Sequence, residues 1–236
     1  MGNKFQVFKQ ESQIAVSAEA GEHLNQLLLE NKSRAVLLML SGGSAFSLLD
    51  YIGQTAMGEN LTVSVLDERF SQDHGVNNFA QLQKHDFYQL ALTAETSFFG
   101  TLPRNGETAG DLAKRWEKNL RTWQEENPEG LIIATLGIGA DGHTAGIFPS
   151  DDVQKFNNLF KTSNWVTAYL ANTKYSERVT STITFLTQID FALVYVCGAD
   201  KKPKLDEVLK NQSKVNNLPA LVWHEIKDTK IFTDIS

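Results

Sequence analysis

Asp141 and His143 stand two residues apart in Leu136-Gly137-Ile138-Gly139-Ala140-Asp141-Gly142-His143-Thr144-Ala145, among neighbours with almost no side chain to shield them. An imidazole titrates near neutrality and can take and return a proton, while an adjacent carboxylate can orient the ring or favour its protonated form. General acid-base catalysis is the chemistry this pair offers. Three other groups offer positive charge or bare backbone. Ser41-Gly42-Gly43-Ser44 is a turn whose N–H groups and following helix suit an anion. In Asp67-Glu68-Arg69 the arginine can clamp a phosphate while Asp67 orients a hydroxyl or a catalytic partner. Arg178 and Lys201 are further cations, each at the start of an expected element.

Each group also has a plainer reading. Ser44 can simply cap a helix, Asp67-Glu68-Arg69 can be a solvated charge cluster, and Arg178 and Lys201 can be solvated surface cations. The glycine loop fits a dinucleotide fingerprint, Gly137-x-Gly139-x-x-Gly142. That fingerprint needs a following helix and an acidic residue ending the next strand about 20 residues on. Pro149 stops a helix early, the nearest acids are Asp151 and Asp152, and no strand-like run comes before Trp165, so the fingerprint fails its context.

The elements that must carry these groups alternate in period. Apolar spacing predicts helices over 11–30, from Ala45 to about Met57, and over 77–90, 108–126 and 204–210, with a short stretch after Gly142 that could open another. Apolar runs predict strands over 34–40, 61–66, 131–136, 165–170, 179–185, 191–197 and 220–223. Strand and helix taking turns predicts an α/β fold, an open and mainly parallel sheet with helices on both faces. Three of the informative segments, at Ser41, Asp67 and Gly137, leave the carboxyl ends of expected strands, where ligands of such sheets bind.

The 236 residues suit one compact domain spanning 1–236, for no Pro/Gly/Ser-rich linker interrupts them. An apolar fraction of 42% and a charged fraction of 21% are those of a globular protein. No apolar run is long enough to span a membrane, the first residues lack a signal-peptide core, and Gly2 meets Gln6 where a lipidation motif wants Ser or Thr. A cytoplasmic protein is expected. A net charge of −6 argues against a nucleic-acid partner while leaving room for a small anion held by local cations. The single cysteine, Cys197, ends an expected buried strand and reads as a structural thiol. The five histidines show no metal-ligand spacing, so neither a metal nor another cofactor is implied.

Together these motifs resemble the 6-phosphogluconolactonase family, whose fold is shared with glucosamine-6-phosphate deaminases and related to ribose-5-phosphate isomerase. The resemblance is carried by Leu40-Ser41-Gly42-Gly43-Ser44, Asp67-Glu68-Arg69, the segment from Leu136 to Ala145, Arg178-Val179-Thr180 and Gly198-Ala199-Asp200-Lys201, in the family's order. It implies a metal-independent hydrolase opening a phosphorylated sugar lactone in the oxidative pentose phosphate pathway. Gly42, Gly43 and Ser44 would hold the phosphate with Arg69, Arg178 and Lys201. His143 would be the acid/base group supported by Asp141, and N–H groups of the loop around Gly139 would receive the oxyanion.

Deaminases of this fold carry Glu where this chain has Phe148, and a phenyl ring cannot relay a proton. Ala45-Phe46 replaces the Thr-Pro usual in lactonases, and Phe70-Ser71 and Asn77-Asn78 replace Val-Pro and Ser-Asn. Those departures keep two alternatives in view, a deaminase or isomerase and a non-catalytic phosphosugar-binding module.

Overall fold

The computed structural model describes residues 5–235; Met1 to Lys4, with the Gly2 position, and Ser236 lie outside the described residues. In chain order the elements are β1 (Gln6–Lys9), α1 (Gln13–Glu30), β2 (Val36–Leu40), β3 (Leu61–Val65), β4 (Asp67–Arg69), α2 (Asn78–Gln83), α3 (Asp86–Thr93), β5 (Ser97–Phe98) and α4 (Ala109–Glu126). There follow β6 (Leu131–Leu136), α5 (Val153–Phe160), β7 (Val166–Leu170), β8 (Glu177–Ser181), α6 (Ile183–Leu186), β9 (Phe191–Val196), α7 (Lys202–Lys210) and β10 (Asp228–Thr233).

Seven strands form one sheet in the order β1-β10-β9-β6-β2-β3-β5, and every neighbouring pair is parallel. Every residue of β2, β3 and β6 is buried. Because side chains alternate between the two faces of a strand, unbroken burial means that both faces are covered. The α/β expectation and the central strands are therefore met. Parallel pairing also puts the carboxyl ends of β2, β3, β6 and β9 on one edge, from which Ser41, Asp67, Gly137 and Gly198 all emerge.

Helix α4 shows how local chemistry sets a boundary. Thr108 accepts from the Asp111 N–H at 3.1 Å, Asp111 accepts from the Thr108 N–H at 3.1 Å, and Leu112, Trp116, Leu120 and Trp123 are buried along one face. Thr108 is otherwise free of packing duties, so Thr108→Ala should lower unfolding stability by about 1 kcal/mol, read as a shift of the urea midpoint at constant slope.

Several expected elements differ. The segment after Gly42 is a 3₁₀ helix over Gly43–Tyr51 and a second short one over Gln54–Ala56, rather than one α-helix to Met57. Residues 77–90 split into α2 and α3 because His85 is extended and its ring accepts from the Phe87 N–H at 3.2 Å, capping a new helix. The strand expected over 179–185 ends at Ser181, since Thr182 caps α6 by accepting from the Phe185 N–H. Residues 220–223 lie in a buried 3₁₀ turn opened by Pro219, and an apolar run alone does not separate such a turn from a strand. No helix follows Gly142; the chain instead makes a tight turn in which Thr144 and Ile147 pair.

The sequence pattern also missed a second sheet, antiparallel and ordered β4-β8-β7. Asp67 to Arg69 is one of its strands rather than a loop. Among the described residues no helix is long and apolar enough to cross a membrane.

Candidate active site

Strand β4 pairs with β8 so that Asp67 faces Thr180, Glu68 faces Val179 and Arg69 faces Arg178. Residues directly opposite in an antiparallel pair share a face, and the next residue points the other way. Asp67, Arg69, Arg178 and Thr180 therefore lie on one side and Glu68 on the other. Glu68 is wholly buried, so the triplet is no solvated cluster. Its carboxylate accepts the N–H groups of Arg69, Asn78 and Phe79 and the Thr101 hydroxyl at 2.7–3.0 Å, which ties β4 to the start of α2. Burial pushes Glu68 up to about 7 against those hydrogen bonds.

Two guanidinium groups directly opposite each other are unfavourable unless something negative meets them. Asp67 does so in part, with Oδ2 3.7 Å from Arg178 Nη1. Burial raises the Asp67 pKa, while Arg178, His143 and Arg69 pull it down. Arg178 also donates through Nε to the Tyr175 carbonyl at 3.0 Å, and Arg69 lies over the Tyr175 ring at 5.4 Å. The Arg69 Nε is buried with no hydrogen-bond partner.

After β6, the loop carries His143 on a frame of small residues. Gly139 donates its N–H to the His143 carbonyl at 2.9 Å, and Gly142 donates to Gly139 at 2.9 Å. A Cβ at Gly139 would lie 2.1 Å from His143 Nδ1, so only glycine lets the ring settle there. The Gly139 contribution is thus space, because its N–H is already engaged. His143 Nδ1 is 2.5 Å from Asp141 Oδ1, and the same oxygen accepts the His143 main-chain N–H at 3.1 Å. Burial raises the Asp141 pKa, but hydrogen bonds from His143 and its charge outweigh that and leave it below the ordinary carboxylate value.

The turn that follows has positive φ at both Ala145 and Gly146, +46° and +67°. For Ala145 this conformation costs about 1–2 kcal/mol. It is held by the Thr180 hydroxyl donating to the Ala145 carbonyl and the Tyr169 hydroxyl donating to the Gly146 carbonyl. A Cβ at Gly146 would meet Asp67 at 2.7 Å, so the turn and β4 fit only through this glycine. Phe148, just beyond, rests against the His143 ring with centroids 4.5 Å apart and lies 5.5 Å from the Arg178 guanidinium carbon.

These elements enclose a cleft of about 490 Å³. Gly42, Gly43, Ser44, Asp67, Arg69, Gly139, His143, Arg178 and Lys201 all line it, whereas Asp141 stands behind His143. Ser44 is not the helix cap; Gly42 is at that position, and it makes no side-chain cap bond. Gly42 is also required sterically, since a Cβ there would meet Asn78 Oδ1 at 2.3 Å. Asn78, Thr173, Phe148 and Tyr195 line the cleft too and were not among the expected site residues. Phe148 carried a sequence signal as the residue replacing a glutamate, and Asn78 as part of the Asn77-Asn78 pair noted above; Thr173 and Tyr195 carried none. Cys197 is buried and its thiol is pushed up by that burial, in keeping with a structural role.

The chain matches, over residues 9–232, the family described as glucosamine-6-phosphate isomerases/6-phosphogluconolactonase. A 6-phosphogluconolactonase of Helicobacter pylori is 28% identical over 200 residues, 84% of this chain and 83% of that protein. One of Neisseria meningitidis is 23% identical over 219 residues, 91% of each. Among solved structures, a 6-phosphogluconolactonase of Shewanella baltica superposes with a TM-score of 0.78 at 18% identity, covering 98% of this chain and 97% of that one. A monomeric glucosamine-6-phosphate deaminase superposes almost as well, with a TM-score of 0.73 at 16% identity and 97% of each chain covered. The backbone is thus common to both activities, and the chain belongs to the family of glucosamine-6-phosphate isomerases and 6-phosphogluconolactonases.

Proposed function

We propose that this chain hydrolyses 6-phospho-D-glucono-1,5-lactone to 6-phosphogluconate. The observation that carries the reading is the pairing, across one cleft, of a carboxylate-supported His143 with the facing cations Arg69 and Arg178, while Phe148 rather than a carboxylate rests on the imidazole. The names borne by the relatives support it.

With its Nδ1 hydrogen given to Asp141, His143 keeps the Nε2 lone pair for the substrate side. A water attacks the lactone carbonyl carbon as Nε2 takes its proton. The carbonyl π electrons move to oxygen, then return as the bond from carbon to the ring oxygen breaks, and the imidazolium delivers its proton to that departing oxygen. Asp141 stabilises the transient imidazolium. Because the Gly139 and Gly142 N–H groups are engaged within the loop, the oxyanion falls to other donors lining the cleft. Arg69, Arg178, Lys201 and the Gly42-Gly43-Ser44 turn hold the phosphate, and Asp67 keeps Arg178 in place.

The test compares lactone opening by purified protein with the spontaneous rate, in parallel with ammonia release from glucosamine 6-phosphate. Acceleration of the first without the second is expected. Ammonia release would install the deaminase reading instead, and phosphosugar binding without either turnover would leave a binding module.

A further inference from the structure

Ser17, in the second turn of α1, is buried, and its hydroxyl lies 3.0 Å from the Tyr195 hydroxyl and 2.8 Å from the Ser47 hydroxyl. Ser47 in turn donates to the Ser44 carbonyl at 2.8 Å. A carbonyl can only accept, and each hydroxyl has one hydrogen to give. Ser47 gives its hydrogen to Ser44, so Ser17 must donate to Ser47 and Tyr195 must donate to Ser17. The result is a one-way chain of hydroxyls that starts at the end of β9, passes through α1 and ends on a peptide of the glycine turn.

Ser41 donates its N–H to Thr135 Oγ1 at 3.0 Å and Asn78 packs on Gly42, but beyond Gly42 the turn has little else to fix it. Gly43 has φ +68° and nothing within 4 Å of where a Cβ would be; Gly43 and Ser44 are both exposed, and the helix they open has no side-chain cap. The N–H groups at the first positions of a helix have no upstream helical carbonyl and are the ones available to an anion. The backbone rotates easily at a glycine, and anchoring the Ser44 carbonyl, one peptide beyond those that flank Gly43, limits how far the turn can move.

We propose that Tyr195, Ser17 and Ser47 are positioning residues that hold the Gly42-Gly43-Ser44 turn in its anion-binding geometry through the Ser44 carbonyl. The proposal rests on the reading of that turn as the phosphate site. The relay carries no charge, and its end point is the anion turn rather than His143, so it acts on phosphate binding and not on the proton transfers. Linked hydrogen bonds also polarise one another, so cutting any link weakens the last one.

Ser47→Ala, Ser17→Ala and Tyr195→Phe each cut one link. Ser47→Ala should raise KM for the phosphorylated lactone by about five-fold, the effect of one neutral hydrogen bond, with kcat changed by less than about two-fold; Ser17→Ala and Tyr195→Phe leave that bond in place and only weaken it, so each should raise KM by less than about two-fold. For Ser47→Ala and Ser17→Ala, whose side chains do not line the cleft, hydrolysis of unphosphorylated glucono-1,5-lactone should not change. Ser47→Thr, which keeps the hydroxyl, should retain the parent KM. The double variant Tyr195→Phe/Ser47→Ala should match Ser47→Ala alone, since a chain already cut has nothing more to lose. Unchanged KM in all three, equal losses with the unphosphorylated lactone, or additive losses in the double variant would overturn the relay. Titration with inorganic phosphate separates this from the lactonase reading. If the parent fails to accelerate lactone opening, weaker phosphate binding by Ser47→Ala than by the parent still supports the relay. Equal binding, or none by either, overturns it.

Discussion

His143→Ala should lower kcat for lactone hydrolysis by about 10²–10⁴-fold, the usual worth of a positioned acid-base group. The KM for the phosphorylated substrate should move little, because the groups assigned to the phosphate, Arg69, Arg178 and the Ser44 turn, are left untouched. The melting temperature should also hold nearly steady, since the His143 side chain is 35% exposed and supports no part of the core. Asp141→Asn should cost less than His143→Ala. An amide oxygen can still accept from Nδ1 and preserve the tautomer, but it supplies no charge to the imidazolium. Stopped assays against the spontaneous rate read both variants. A His143→Ala protein as active as its parent would remove His143 from the mechanism.

The second large effect is expected at Arg69. Charge-assisted hydrogen bonds contribute about 1.5–3 kcal/mol, so Arg69→Ala should weaken kcat/KM for the phosphorylated lactone by about 10–150-fold. The unphosphorylated lactone should be nearly unaffected. Arg69 is the better probe of the two facing arginines for a structural reason. Among the described residues its guanidinium makes one long hydrogen bond, Nη1 to the Val76 carbonyl at 3.4 Å, and its Nε is unpartnered. Arg178 is buried beside Asp67, so its removal would strand a shielded carboxylate and confuse binding with stability. Arg69→Lys should recover part of the loss, because an ammonium restores charge without the planar fork. Equal losses for phosphorylated and unphosphorylated lactones, measured side by side, would make Arg69 a structural residue.

The sequence and the structure agree where the information is local. Leu131 to Leu136 is a strand at the residues where its apolar run lies, and α4 begins where Thr108 and Asp111 can cap one another. The glycine loop was legible because small residues around an imidazole are unusual without a chemical reason. Phe148 was noticed only for the glutamate it replaces. Its contact with both His143 and Arg178 depends on a turn with two positive φ angles, one of them at an alanine, which no local pattern announces.

Helix termini show the same boundary from the other side. His85 and Thr182 end expected elements through hydrogen bonds made by their own side chains, and such bonds compete with an apolar period that would otherwise run on.

By itself, then, the sequence determined the alternation of strand and helix, the buried central strands, and a loop that presents an imidazole next to a carboxylate. Those follow from periodicity, glycine and charge within a few residues. Tertiary structure alone decided that Arg69 faces Arg178, that Glu68 turns inward to anchor α2, and that hydroxyls from residues 17, 47 and 195 join in one chain. These contacts span from about ten to nearly two hundred residues of chain, and strand register and helix packing bring them together only when the whole core closes. In the loop met first, tertiary structure left Asp141 and His143 as neighbours and changed the part of Gly139 from a hydrogen-bond donor to the space in which the imidazole sits.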